Sequence, residues 1–199
     1  DIKHAMSNCI LKMYSAAQPA TAEAVPTGTL LCTLSNNSGA VTREVLSAGS
    51  VALTGGGSGS VNTLTVNAIE IMGSATPFNT SLTQTAADIA TKINDNPMNM
   101  LFRAANNGSA TVTITAKPGL GALPNGWVVA STVTTITKAD SNMAGGVTAV
   151  NGLNWGDSAA SMLSKLSTQT WSGVGVAAGT AGWFRIEAAV SDAGALDIT

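Results

Sequence analysis

The chain has 199 residues, a net charge of −2 and only 10% charged residues, against roughly 25% in an average soluble domain. Its nine basic residues are scattered, which excludes the clustered Lys and Arg that phosphate contacts need, and no apolar run approaches the roughly 20 residues of a membrane helix. Gly, Ala, Ser, Thr and Asn stand in place of charge, a composition suited to a chain that buries its surface against copies of itself or a larger assembly.

Residues 1–7 are polar and expected to fray. Residues 9–14 read as a strand. Residues 15–28 form a loop, because Pro19 and Pro26 cannot donate to a ladder. Residues 29–34 give a second strand, followed by the turn signal Asn36-Asn37-Ser38-Gly39. Residues 41–50 are ambiguous between loop and short strand. The run Gly55-Gly56-Gly57-Ser58-Gly59-Ser60 reads as a flexible joint and sets the main domain boundary.

Beyond it, residues 61–66 and 68–72 alternate as a hairpin, with Asn67-Ala68 at the turn where Asn-Gly is usual. Ala86, Ile89, Ala90 and Ile93 form one helical stripe, preceded by a Ser81/Gln84 capping box and stopped at residues 94–97. Strands follow at 100–105 and 111–115 around Asn106-Asn107-Gly108, and one or two more at 127–136. Asp140-Ser141-Asn142 reads as a turn, and Gly145-Gly146 marks the exit. Residues 158–166 read as a short helix or an irregular segment.

Residues 171–186 read as a strand, a tight turn around Gly179 and a second strand that pairs with the far N-terminal end. In the second, Phe184, Ile186 and Ala188 share one face, with Trp183, Arg185 and Glu187 on the other. Residues 189–199 read as a turn and the start of a further strand. The fold class expected is mainly β: a β-sandwich built from residues 8–54 plus 151–199, with residues 61–150 as an inserted α+β module of strand-strand-helix-strand-strand order.

The segment Leu11-Lys12-Met13-Tyr14-Ser15-Ala16-Ala17-Gln18-Pro19-Ala20-Thr21-Ala22, then Gly28-Thr29-Leu30-Leu31, resembles the opening of a family of bacteriophage virion structural proteins. Gly179-Thr180-Ala181-Gly182-Trp183-Phe184-Arg185 resembles that family's closing motif. The likeness covers about residues 9–50 and 153–199. The middle, with Thr85-Ala86-Ala87-Asp88-Ile89-Ala90, resembles modules inserted in phage tail and capsid proteins. The resemblance implies a virion protein assembled in the host cytoplasm. It would be a capsid decoration protein or, alternatively, a tail, baseplate or fibre component, with copies of itself and major capsid or tail proteins as partners.

No chemistry is legible in the residue pattern. The single histidine, His4, has no acid or Cys beside it, so neither a triad nor a zinc site is formed. The glycine run at 173–179 leads into a strand, whereas a dinucleotide loop leads into a helix. The run at 55–60 carries no Lys for a phosphate loop, and Asp140-Ser141-Asn142 lacks the other ligands of a calcium loop. Asp192 and Asp197 are the nearest approach to a carboxylate pair. No enzyme activity, cofactor, metal, nucleic acid or membrane is expected. Tyr14, Trp155, Trp171, Trp183, Phe184 and Arg185 are the expected core or interface anchors. Trp155, Trp171 and Trp183 also offer an alternative, a glycan-stacking platform for host recognition. Cys9 and Cys32 are expected as two free buried thiols.

Overall fold

The computed structural model describes residues 6–157 and 162–188. His4, Asp192, Asp197, the further strand expected at 189–199 and the start of the segment expected at 158–166 lie outside the described residues. The chain is mainly β. In order, the elements are β1 (Ile10–Tyr14), β2 (Leu30–Asn36), β3 (Ala48–Gly55), β4 (Ser60–Val66), β5 (Ile69–Glu70), β6 (Thr76–Pro77), α1 (Leu82–Asp95), β7 (Phe102–Ala105), β8 (Thr111–Ala116), β9 (Val129–Thr134), β10 (Thr137–Ala144), β11 (Trp171–Gly175) and β12 (Trp183–Glu187). Two compact units result, Asp1–Val45 with Thr148–Thr199, and Leu46–Val147.

The first unit carries one four-stranded antiparallel sheet of order β11-β2-β1-β12. Leu11 lies opposite both Leu34 and Ile186, and Tyr14 opposite Trp183. The two C-terminal strands flank the N-terminal pair and do not touch each other. One face is covered by Cys9, Leu153 and Ile186, with Trp155 and Trp171 packed against them. Met6 joins this core at 8% exposure. The frayed start expected through residue 7 therefore ends earlier, because the Met6 side chain finds apolar cover. Among the described residues this unit holds a single sheet, so the second layer of the expected sandwich is not among them.

The second unit holds two antiparallel sheets. One has the order β10-β3-β8-β7; in the other, β4 pairs with β5 and β6 and also with β9. Val51 and Leu53 of β3, Val61 and Leu64 of β4, and Ile114 of β8 share a core with Ile89 and Ile93 of α1. The helix starts where Ser81, in extended conformation, accepts the Gln84 N–H at 3.1 Å. The reciprocal half of the capping box is absent: the Gln84 side chain turns to Asp88 at 2.9 Å. It stops at Asn96, which Pro97 holds extended. Asn94 then acts as a strand substitute. Its amide donates to the Ala104 carbonyl and accepts the Ala104 N–H, both at 2.8 Å, closing the outer edge of β7.

The domain boundary differs from the expectation. Residues 55–60 are the β3–β4 turn, not a joint. Gly56 and Gly59 take φ of +107° and +97°, and a Cβ on Gly59 would lie 1.9 Å from the Thr134 carbonyl oxygen. The glycines answer steric demand, and β3 belongs with the second unit through its pairing to β8 and β10. Asn67-Ala68 does form a tight hairpin turn, with φ of +50° and +63°. Asp140-Ser141-Asn142 lies within β10, not in a turn. Asp140 accepts the Ser131 N–H and hydroxyl, each at 2.9 Å, and pairs with Lys138, so strand neighbours occupy its oxygens.

Candidate functional site

The two ends of the chain meet at β1 and β12, and the side chains there divide by strand parity. Ile10, Lys12 and Tyr14 share one face with Trp183, Arg185 and Glu187. Residues 173–182 follow the opposite logic and form an open, neutral border to the same sheet.

The Tyr14 and Trp183 rings stack at 4.5 Å, with 14° between their planes. The Arg185 guanidinium lies over the Trp183 ring, 5.5 Å from its centroid. The loop after β1 roofs this group. Arg185 Nη2 donates to the Ala24 carbonyl at 2.8 Å, and Trp183 Nε1 to the Thr27 carbonyl at 3.3 Å. Glu187 bonds Lys12 at 2.9 Å and also pairs with Arg43. Arg43 Nη1 in turn donates to the Ala188 carbonyl at 3.1 Å. Arg185 is 5% exposed and Glu187 7%. The Trp183, Arg185 and Glu187 face of the strand is therefore closed, and only Phe184, on the opposite face, is exposed. The roof contacts Arg185 and Trp183 through backbone carbonyls, which every residue type supplies, so composition gave no signal for it. Lys12, Arg43 and Glu187 are anchoring residues that sequence reasoning missed.

On the other face, Trp155 and Trp171 meet edge to face at 4.8 Å. Gln169 fixes them: its Oε1 accepts from Trp171 Nε1 at 3.2 Å and from the Asn154 N–H at 2.7 Å. Trp183 thus points away from Trp155 and Trp171 through the thickness of the sheet. The three tryptophans form no common platform, and the glycan-stacking arrangement of all three is not present.

Phe184, half exposed, stands beside Met13 and Cys32 in one cross-strand row on the face that carries Trp171. Cys9 is buried and Cys32 only partly so; both are free thiols. Burial pushes the Cys9 thiol up to about 11. Every residue from 173 to 182 is exposed, and none is charged. Val174 is 72% exposed and Val176 66%. β11 is the last strand of its sheet and lacks the Lys, Pro or bulge that natural edges use against pairing. Above it, a shallow groove of about 270 Å³ is lined by Thr33, Ser35, Ser38 and Val174 among others.

Among the described residues no group of three or more His, Cys, Asp or Glu could hold a metal ion. No described helix is long and apolar enough to cross a membrane. No family model matches the chain, and no curated protein or solved structure is similar to it.

Proposed function

We propose that this chain is a structural component of a tailed-phage virion, a capsid decoration protein that stabilises the shell by packing on copies of itself and on neighbouring shell subunits. One observation carries the reading: the exposed, uncharged stretch 173–182, which presents Val174 and Val176 at the unprotected β11 edge of the sheet. An exposed, uncharged strand edge carrying apolar side chains is a template for pairing with another chain. The terminal motifs that resemble phage virion proteins lie on β1, β2 and β12, and so on this same sheet. In this reading the residues flanking 46–147 form a discontinuous domain. Its sandwich is completed by a strand layer from a neighbour, and residues 46–147 are an inserted module carried outward. A tail or baseplate position uses the same contacts.

The test is sedimentation of the purified protein over a concentration series, with Val174→Lys and Val176→Lys combined. Wild type is expected to associate as concentration rises. The variant, whose changes sit on exposed positions, is expected to stay monomeric with an unchanged melting temperature. A wild-type protein that is monomeric throughout and fails to sediment with tailed-phage capsids overturns the proposal.

A further inference from the structure

Three asparagines in this chain precede glycine: Asn107, Asn125 and Asn151. The sequence Asn-Gly is chemically distinct, because glycine has no Cβ to keep its backbone nitrogen away from the preceding side-chain amide. The structure separates the three. Asn125 is clamped: Nδ2 donates to the Gly146 carbonyl and Oδ1 accepts the Gly146 N–H, both at 2.8 Å. Asn151 donates to the Ala40 carbonyl at 2.8 Å, and its glycine is wedged, since a Cβ on Gly152 would lie 2.4 Å from the Asn8 carbonyl oxygen. Asn107 stands at the tip of the β7–β8 hairpin, exposed along with Gly108 and Ser109. Nothing lies within 4 Å of a Cβ built on Gly108.

We infer that Asn107 is a site of spontaneous deamidation, selected by the fold over the other two. The Gly108 backbone nitrogen attacks Asn107 Cγ and loses its proton to solvent base. The new N–Cγ bond forms as the bond from Cγ to Nδ2 breaks, and the departing nitrogen takes a proton from water and leaves as ammonia. Water then opens the cyclic imide at either carbonyl, giving aspartate or isoaspartate. The net change is gain of water and loss of ammonia, with no oxidant or reductant. Asn106 is the brake: its Oδ1 accepts the Gly108 N–H at 3.0 Å, and this bond must open before attack. The product places a carboxylate on a hairpin tip of a protein otherwise poor in charge.

The experiment incubates the folded protein at mildly alkaline pH and follows all three sites by peptide mass spectrometry with fragmentation. A parallel sample is held in denaturant. In the folded protein Asn107 is expected to convert at least about tenfold faster than Asn125, which must first break two hydrogen bonds. In denaturant the three are expected to convert at similar rates. Conversion of Asn125 or Asn151 at the pace of Asn107 in the folded protein overturns the inference. So does an Asn107 that stays intact while the denatured protein reacts there.

Discussion

Tyr14 lies flat against Trp183 because β1 and β12 set the two residues directly opposite each other, one near the start of the chain and one near its end. The stack joins the termini of the first unit, and Arg185 and the 15–28 loop are built onto it. Aromatic pairs contribute about 0.5–1.5 kcal/mol beyond the area they bury.

Trp183→Ala is expected to cost about 3–5 kcal/mol, since it removes the packing and strips one partner each from Tyr14 and Arg185. Trp183→Phe keeps most of the packing but loses the bond to the Thr27 carbonyl, for a cost of about 1 kcal/mol. Urea unfolding of both variants measures this. An alanine variant within about 1 kcal/mol of wild type removes the stack from the account of stability.

Glu187→Gln is expected to destabilise by about 1–2 kcal/mol. The nearly buried carboxylate is the shared partner of Lys12 and Arg43, whose side chains remain 27% and 33% exposed and so keep part of their hydration. The double change Lys12→Met with Glu187→Gln should cost less than the sum of the single changes. Additive costs would show that Lys12 and Glu187 act separately.

Cys9 links stability to alkaline pH. Its thiol is raised from 9.0 to about 11 by burial, so the folded state favours the neutral form. The sign follows: this contribution is fully present below the unfolded value and is lost as pH rises from about 9 to about 11. The loss amounts to about 2–3 kcal/mol at the upper end. Denaturant midpoints of wild type and Cys9→Ala, compared at about pH 8 and about pH 10.5, check it. Equal alkaline losses in the two proteins would exclude Cys9 as the source. Iodoacetamide should also label Cys32 well before Cys9.

Ala68→Gly is expected to raise stability by about 1 kcal/mol. Ala68 sits at φ +63° in the β4–β5 turn, a region where a Cβ is strained and glycine is not. Thermal unfolding reads the gain, and a lower melting temperature would contradict it.

How much of this was legible depends on whether the signal was local. The helix was, because Ser81 and the stripe from Ala86 to Ile93 specify it within one stretch of sequence. The Asn67-Ala68 turn was too. β10 was not: Thr-Lys-Ala-Asp-Ser-Asn-Met-Ala carries little apolar alternation. It holds as a strand through β3, and through side chains such as Asn142, which accepts the Val129 N–H at 3.2 Å. The glycines at 55–60 have the composition of a linker, and only the presence of Thr134 across the turn reveals their steric role. The separation of Trp183 from Trp155 and Trp171 depends on which strands are neighbours and in what register, a property of tertiary pairing. Tyr14, Trp183 and Arg185 stand out in the sequence as residues, but their grouping beneath the 15–28 loop depends on the β1–β12 register.

The strand order β11-β2-β1-β12 has a consequence for biosynthesis. Strands β3–β10 find all their partners within their own stretch and can pair as soon as it leaves the ribosome. The β1–β2 hairpin emerges before them yet must wait, with both flanks bare, until β11 and β12 have been translated. Contacts of such long sequence separation make closure of this sheet the slow step, and during that interval the nascent hairpin is the part of the polypeptide most dependent on chaperone protection.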